Sequence, residues 1–173
     1  MLNTEKLQYP IGRHIQKNKT VTNCISDIKN FPNKVIIEVK NLSKKELTYK
    51  YRPKGWTIKQ IIGHCVDSHL NSFIRFKLAL TENNPTIRPY NETKWAELSD
   101  TINYDISENL ELLKNIHKRW VYLLENLSKT DLNKTFIHPD GNEIISLKEN
   151  ITIYAWHCNH HLAHIINAKK YQF

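Results

Sequence analysis

The chain has 173 residues, 40% of them hydrophobic, and a formal net charge of +8. That is enough apolar material for one domain with a substantial core and too little for two, so residues 1–173 are read as a single domain. No apolar run approaches a membrane span and the N-terminus lacks an apolar signal core, which predicts a soluble, cytoplasmic protein with no membrane contact.

The lysines are scattered, with no block of five or six basic residues, so the positive charge is read as a solvated surface and nucleic acid is not expected as a partner. Three cysteines, Cys24, Cys65 and Cys158, are odd in number and stand at no zinc-finger spacing. They are expected to be buried free thiols in a reducing compartment.

Four helical patterns follow in chain order. From Val21 to about Leu42, apolar residues recur in steps of three and four, and Pro32 should kink or locally break this first helix. A second opens on Thr57-Ile58-Lys59-Gln60, which has the form of a capping box, and runs to about Glu82, where Asn83-Asn84-Pro85 stops it. The stretch from Asn83 to Tyr104 is a long, Pro-containing connection, of a length that is usually functional or a crossover. A third helix spans roughly Ser107 to Leu127. Pro139-Asp140-Gly141-Asn142 between short apolar pairs predicts a small hairpin within Phe136–Ile145. The fourth helix opens at Ser146-Leu147-Lys148-Glu149, a second capping box. The sum is an all-α protein: a four-helix bundle with a long crossover and a small hairpin before the last helix.

On the second helix His64, Asp67, Ser68, Asn71 and Arg75 share an arc of about 100°. Apolar residues flank this stripe, with Leu70, Ile74 and Leu78 on one side. It contains no Lys or Glu, which suits a wet cleft inside the bundle better than a solvent face.

The fourth helix carries Trp156-His157-Cys158-Asn159-His160-His161-Leu162-Ala163-His164. His157/His161 and His160/His164 are each i, i+4 pairs, close enough to bind one ion together. A zinc-protease motif is excluded because His161 stands where the general-base Glu is needed. A His from the second helix and one such pair would give three imidazoles at about 2.0–2.1 Å from zinc, with a fourth position open for water or substrate. The spacing does not decide between the two pairs. His14, His117 and His138 are read as ordinary histidines bonded to backbone carbonyls.

The ordered matches Tyr9-Pro10-Ile11-Gly12, Gly55-Trp56-Thr57, His64 with Asp67-Ser68-His69 and Asn71-Ser72, Ile74-Arg75-Phe76-Lys77, Ile87-Arg88-Pro89-Tyr90, His138-Pro139-Asp140 and the histidine run span nearly the whole chain. In these the sequence resembles the YfiT branch of the DinB superfamily, metal-dependent hydrolases that include bacillithiol transferases. The resemblance implies a DinB-type four-helix bundle, commonly a homodimer, with one divalent metal per chain on His64, His160 and His164. Zinc is the expected ion and nickel the alternative. His157, His161 and His69 would then orient ligands or substrate.

Two uses of such a site follow. In one, the metal activates the thiol of a low-molecular-weight cofactor for attack on an electrophile. In the other, it lowers the pKa of bound water for hydrolysis of a small substrate. Asp67, one turn from His64, is the candidate catalytic base. Arg75 and Arg88, with Asn71 on the same stripe, are the candidate substrate or cofactor contacts, because a guanidinium pairs with carboxylates in a bidentate way. A non-catalytic metal or DNA-binding module is set aside for want of a basic recognition helix.

Overall fold

The structure is a computed structural model and describes residues 4–15 and 19–173. Its helices are α1 (Thr4–Gln8), α2 (Val21–Val39), α3 (Ile58–Thr81), α4 (Glu92–Trp95), α5 (Ser99–Ile102), α6 (Ile106–Glu125) and α7 (Leu147–Tyr171). The strands β1 (Thr135–His138) and β2 (Glu143–Ser146) precede α7. The long helices α2, α3, α6 and α7 form the four-helix bundle expected from the sequence, with α2 packed on α7 and α6, and α3 on α6 and α7.

The periodicity explains the packing. In α2, Ile25, Ile28, Phe31, Val35 and Val39 are all buried, one stripe at steps of three and four. Burying each such Ile, Val or Phe contributes about 1.5–3 kcal/mol. Leu113, Ile116, Trp120 and Leu124 do the same for α6. α2 ends at Val39, short of the expected Leu42, and α6 begins at Ile106, capped by Asp105, whose carboxylate accepts the Ser107 N–H at 2.9 Å.

Pro32 lies inside α2 without ending it. Proline has no N–H to give the carbonyl four residues back. That carbonyl, on Ile28, instead accepts from the His117 ring on α6 at 2.7 Å.

The Thr57 box forms in full: its hydroxyl accepts the Gln60 N–H at 3.2 Å and its N–H donates to Gln60 Oε1 at 3.1 Å. At α7 the Ser146 hydroxyl accepts the Glu149 N–H at 3.1 Å. β1 and β2 pair antiparallel, Phe136 opposite Ile145.

The long connection is built into the molecule. Ile137 exchanges backbone bonds with Pro85 and Ile87 at 2.9 and 3.0 Å, and Gln60 Nε2 donates to the Ala96 carbonyl at 3.0 Å. α5 presses Thr101 onto Gly63 so closely that a Cβ there would sit 2.7 Å from Thr101 Cγ2. The N-terminal arm also packs inward: Trp156 Nε1 donates to the Gly12 carbonyl at 3.0 Å, and Tyr9 lies 5.8 Å from the His160 ring. All three cysteines are free and buried, as expected.

Candidate metal centre

The α3 stripe is largely enclosed. His64 and Ser68 are buried, while Asp67, Asn71 and Arg75 are half-buried. One expected flank faces out instead, because Leu70 and Ile74 are exposed.

α3 and α7 bring His64, His157 and His161 together, with their ring nitrogens within 4.8 Å of one another. The Nε2 atoms of His64 and His157 face each other at 3.2 Å. Two nitrogens held at about 2.0–2.1 Å by one tetrahedral ion lie about 3.3–3.4 Å apart, so the pair fits a single divalent cation. Trp56 covers the group, with its ring centroid 4.6 Å from that of His64. Burial pushes His64 down to about 4, helped by nearby His160, and holds His157 and His161 well below the usual imidazole range. Neutral imidazoles with free lone pairs are what a metal requires.

The ligand set that the resemblance implies is grouped differently. His64 does not join His160 and His164. Those two form a second group with His161, again within 4.8 Å. His164 Nε2 donates to the Gln8 carbonyl at 3.0 Å, and its ring stacks on Tyr51 at 3.8 Å. His160 stacks on Trp156 at 4.5 Å. With Nε2 spent on Gln8, His164 has only Nδ1 to offer; Nδ1 of His160, His161 and His164 are all buried without a hydrogen-bond partner. The geometric reason for the regrouping is helical phase: His157 and His161 face α3, whereas His160 and His164 turn toward the N-terminal arm and Tyr51.

His69 lies fully buried behind the centre. Its Nε2 is 3.0 Å from His157 Nδ1 and its Nδ1 is 2.7 Å from His117 Nε2. His117, read from the sequence as an ordinary histidine, does bond a backbone carbonyl, that of Ile28, and through His69 it also reaches His157. No spacing rule could have joined it to the site, since it lies on a different helix. The one sequence signal is Pro32, which leaves Ile28 without its helical partner.

Asp67 has its carboxyl pushed up to about 6, by burial first and by the charge of Asp100 second. That is a useful range for a general base. Asn71 is turned along its own helix, its amide donating to the Asp67 carbonyl at 2.9 Å. Arg75 has a buried Nε with no hydrogen-bond partner, and its charge acts on Glu92 and Tyr154. Arg88 is exposed on the connection before α4.

A four-helix bundle with an inward-facing histidine centre contributed by two helices defines a class of metal-site proteins. The DinB superfamily profile matches residues 32–165, and the chain belongs to that superfamily. A Bacillus cereus (strain AH820) protein named "Putative metal-dependent hydrolase" is 48% identical over 168 residues, covering 95% of this chain and 96% of the relative. A protein of the same name from Bacillus anthracis shares 48% over the same coverage. Among solved structures, YfiT from Bacillus subtilis, described as "a probable metal-dependent hydrolase with an unusual four-helix bundle topology", superposes with a TM-score of 0.91 at 40% identity, covering 95% of this chain and 97% of that one.

Proposed function

We propose that this protein is a metal-dependent enzyme whose single divalent ion is held by His64, His157 and His161. The observation that carries this reading is the pair of Nε2 atoms facing each other at 3.2 Å across α3 and α7. Three neutral ligands leave the ion its full charge and one coordination position. Bound there, a zinc or nickel ion supplies Lewis acidity that lowers the pKa of a thiol or a water molecule.

The nucleophile we propose is the thiol of a low-molecular-weight cofactor of the bacillithiol type, whose sulfur bonds to an electrophilic carbon as a halide or similar group leaves with the bonding electrons; the resemblance to a family that includes such transferases supports it. In this reading Asp67, with its carboxyl at about 6, takes up the thiol proton. Arg75, whose Nε is buried and unpartnered, pairs with a carboxylate of the cofactor. Arg88, farther out on the connection, meets the same anionic ligand as it enters. Trp56 shields the centre and limits access of water.

Hydrolysis of a small ester or amide is the second reading. It is favoured by the names of the relatives and by the same Asp67, which would then act on water. The test is a paired assay on zinc-loaded protein. The transferase reading expects conjugation of bacillithiol to a bimane or haloarene, faster than with glutathione and lost on chelation. Metal-dependent cleavage of activated esters with no thiol-dependent turnover would replace it with the hydrolase reading.

A cytoplasmic homodimer completes the proposal. Three buried free thiols suit a reducing compartment, and no helix among the described residues is long and apolar enough to cross a membrane. Light scattering should give twice the chain mass at micromolar concentration, and a single-chain mass there would contradict the dimer.

A further inference from the structure

We infer that His117 and His69 are positioning residues: a chain of imidazoles anchored on the Ile28 carbonyl sets the tautomer of His157 and aims its Nε2 lone pair at the metal position. The inference rests on the metal-site reading above, but its first test needs no metal.

The direction of every hydrogen bond in the chain follows from its far end. A carbonyl only accepts, so the 2.7 Å contact between Ile28 O and His117 Nδ1 requires the proton on that nitrogen. His69 is fully buried and His117 is 2% exposed, which keeps both rings neutral with one N–H each. His117 Nε2 is therefore bare, and the proton in its 2.7 Å contact must sit on His69 Nδ1. That leaves His69 Nε2 bare, so the proton in the 3.0 Å contact with His157 belongs to His157 Nδ1. His157 Nε2 is then left with a lone pair, 3.2 Å from His64 Nε2.

Three rings in series thus share the Nδ1–H form, and one backbone carbonyl dictates all of them. Pro32 makes that carbonyl available, because a residue with an N–H at this position would compete for Ile28 O from within α2. Metal-binding histidines ordinarily donate their second N–H directly to a carboxylate, carbonyl or water. Here two further histidines stand between ligand and carbonyl. His117 also lines a surface cavity between α2 and α6, beside Pro32 and Asn33.

The experiment is two-bond proton–nitrogen NMR on metal-free protein labelled with ¹⁵N at histidine, near neutral pH. His117, His69 and His157 are each expected to give the pattern of a neutral ring protonated at Nδ1. A ring in the Nε2–H form, or an imidazolium, at His69 or His117 would overturn the inference. In His117→Phe, His69 loses its acceptor, so His157 should show a mixture of tautomers and zinc should bind about 10- to 100-fold more weakly. A His157 that stays purely Nδ1–H, with zinc affinity equal to wild type, would overturn it too. If the wild type binds no divalent ion, the metal-site reading fails, while the NMR pattern still decides the tautomers.

Discussion

His64 Nε2 and His157 Nε2 lie 3.2 Å apart, one from α3 and one from α7, and both cannot keep their lone pairs facing without a proton or a cation between them. Since the buried chain behind His157 leaves its Nε2 bare, the metal-free molecule must hold that proton on His64. For a divalent ion to bind there, His64 must carry that proton on Nδ1 instead, a change of tautomer in a ring that stays neutral.

Metal-free protein should therefore be acid-labile. His64 and His117 are held at about 4 by burial, below the unfolded value of 6.5, and His164 at about 3. With folded values depressed, the unfolded chain binds more protons below pH 6.5, so the stability is fully present above that pH and is lost as pH falls through 4. One such histidine carries roughly 3 kcal/mol, and several together are comparable with the whole stability of a typical domain, about 5–15 kcal/mol. Denaturant unfolding of chelated protein from pH 8 to pH 4 should show a steep fall in midpoint below about 6.5. A flat profile to pH 4 would contradict the buried neutral histidines.

Much of this was legible in the sequence. Four apolar periodicities, two capping motifs and one turn signal located the bundle helices and the hairpin, because helix formation and stripe burial are local. The α3 stripe led to His64 and Asp67. What sequence could not supply was rotation: His157/His161 and His160/His164 have identical spacing, and only the packing of α7 on α3 and on the N-terminal arm separates them. His117 was invisible for the same reason, being joined to the site across two interhelical contacts, His117 to His69 and His69 to His157. The Asn83–Tyr104 connection drew attention by its length, but its fit onto α3 depends on Gly63 and Thr101 meeting in space.

That close approach is testable by itself. A methyl group at Gly63 would lie 2.7 Å from Thr101 Cγ2 and 2.9 Å from Oγ1. Gly63→Ala should cost about 1–3 kcal/mol by overpacking, and Thr101→Ala in the same chain should recover part of it. Additive losses in chemical denaturation would show that the two positions do not oppose each other.

The base assignment separates from metal binding. Asp67→Asn should retain the ion yet lose about 10²- to 10⁴-fold in turnover, together with the acid limb of the pH–rate profile near 6. An unchanged acid limb would remove Asp67 from the reaction.

Arg75→Ala should likewise keep the metal, raise the KM for an anionic thiol at least tenfold and leave an uncharged thiol little affected. Equal losses for both thiols would make Arg75 a structural residue.

Elemental analysis of single-alanine variants purified in the presence of zinc decides which three histidines hold the ion. Wild type should carry close to one ion per chain, lost in His64→Ala, His157→Ala and His161→Ala and kept in folded His160→Ala and His164→Ala. Retention in His157→Ala with loss in His160→Ala and His164→Ala would overturn this ligand set and move the site to the other pair of α7.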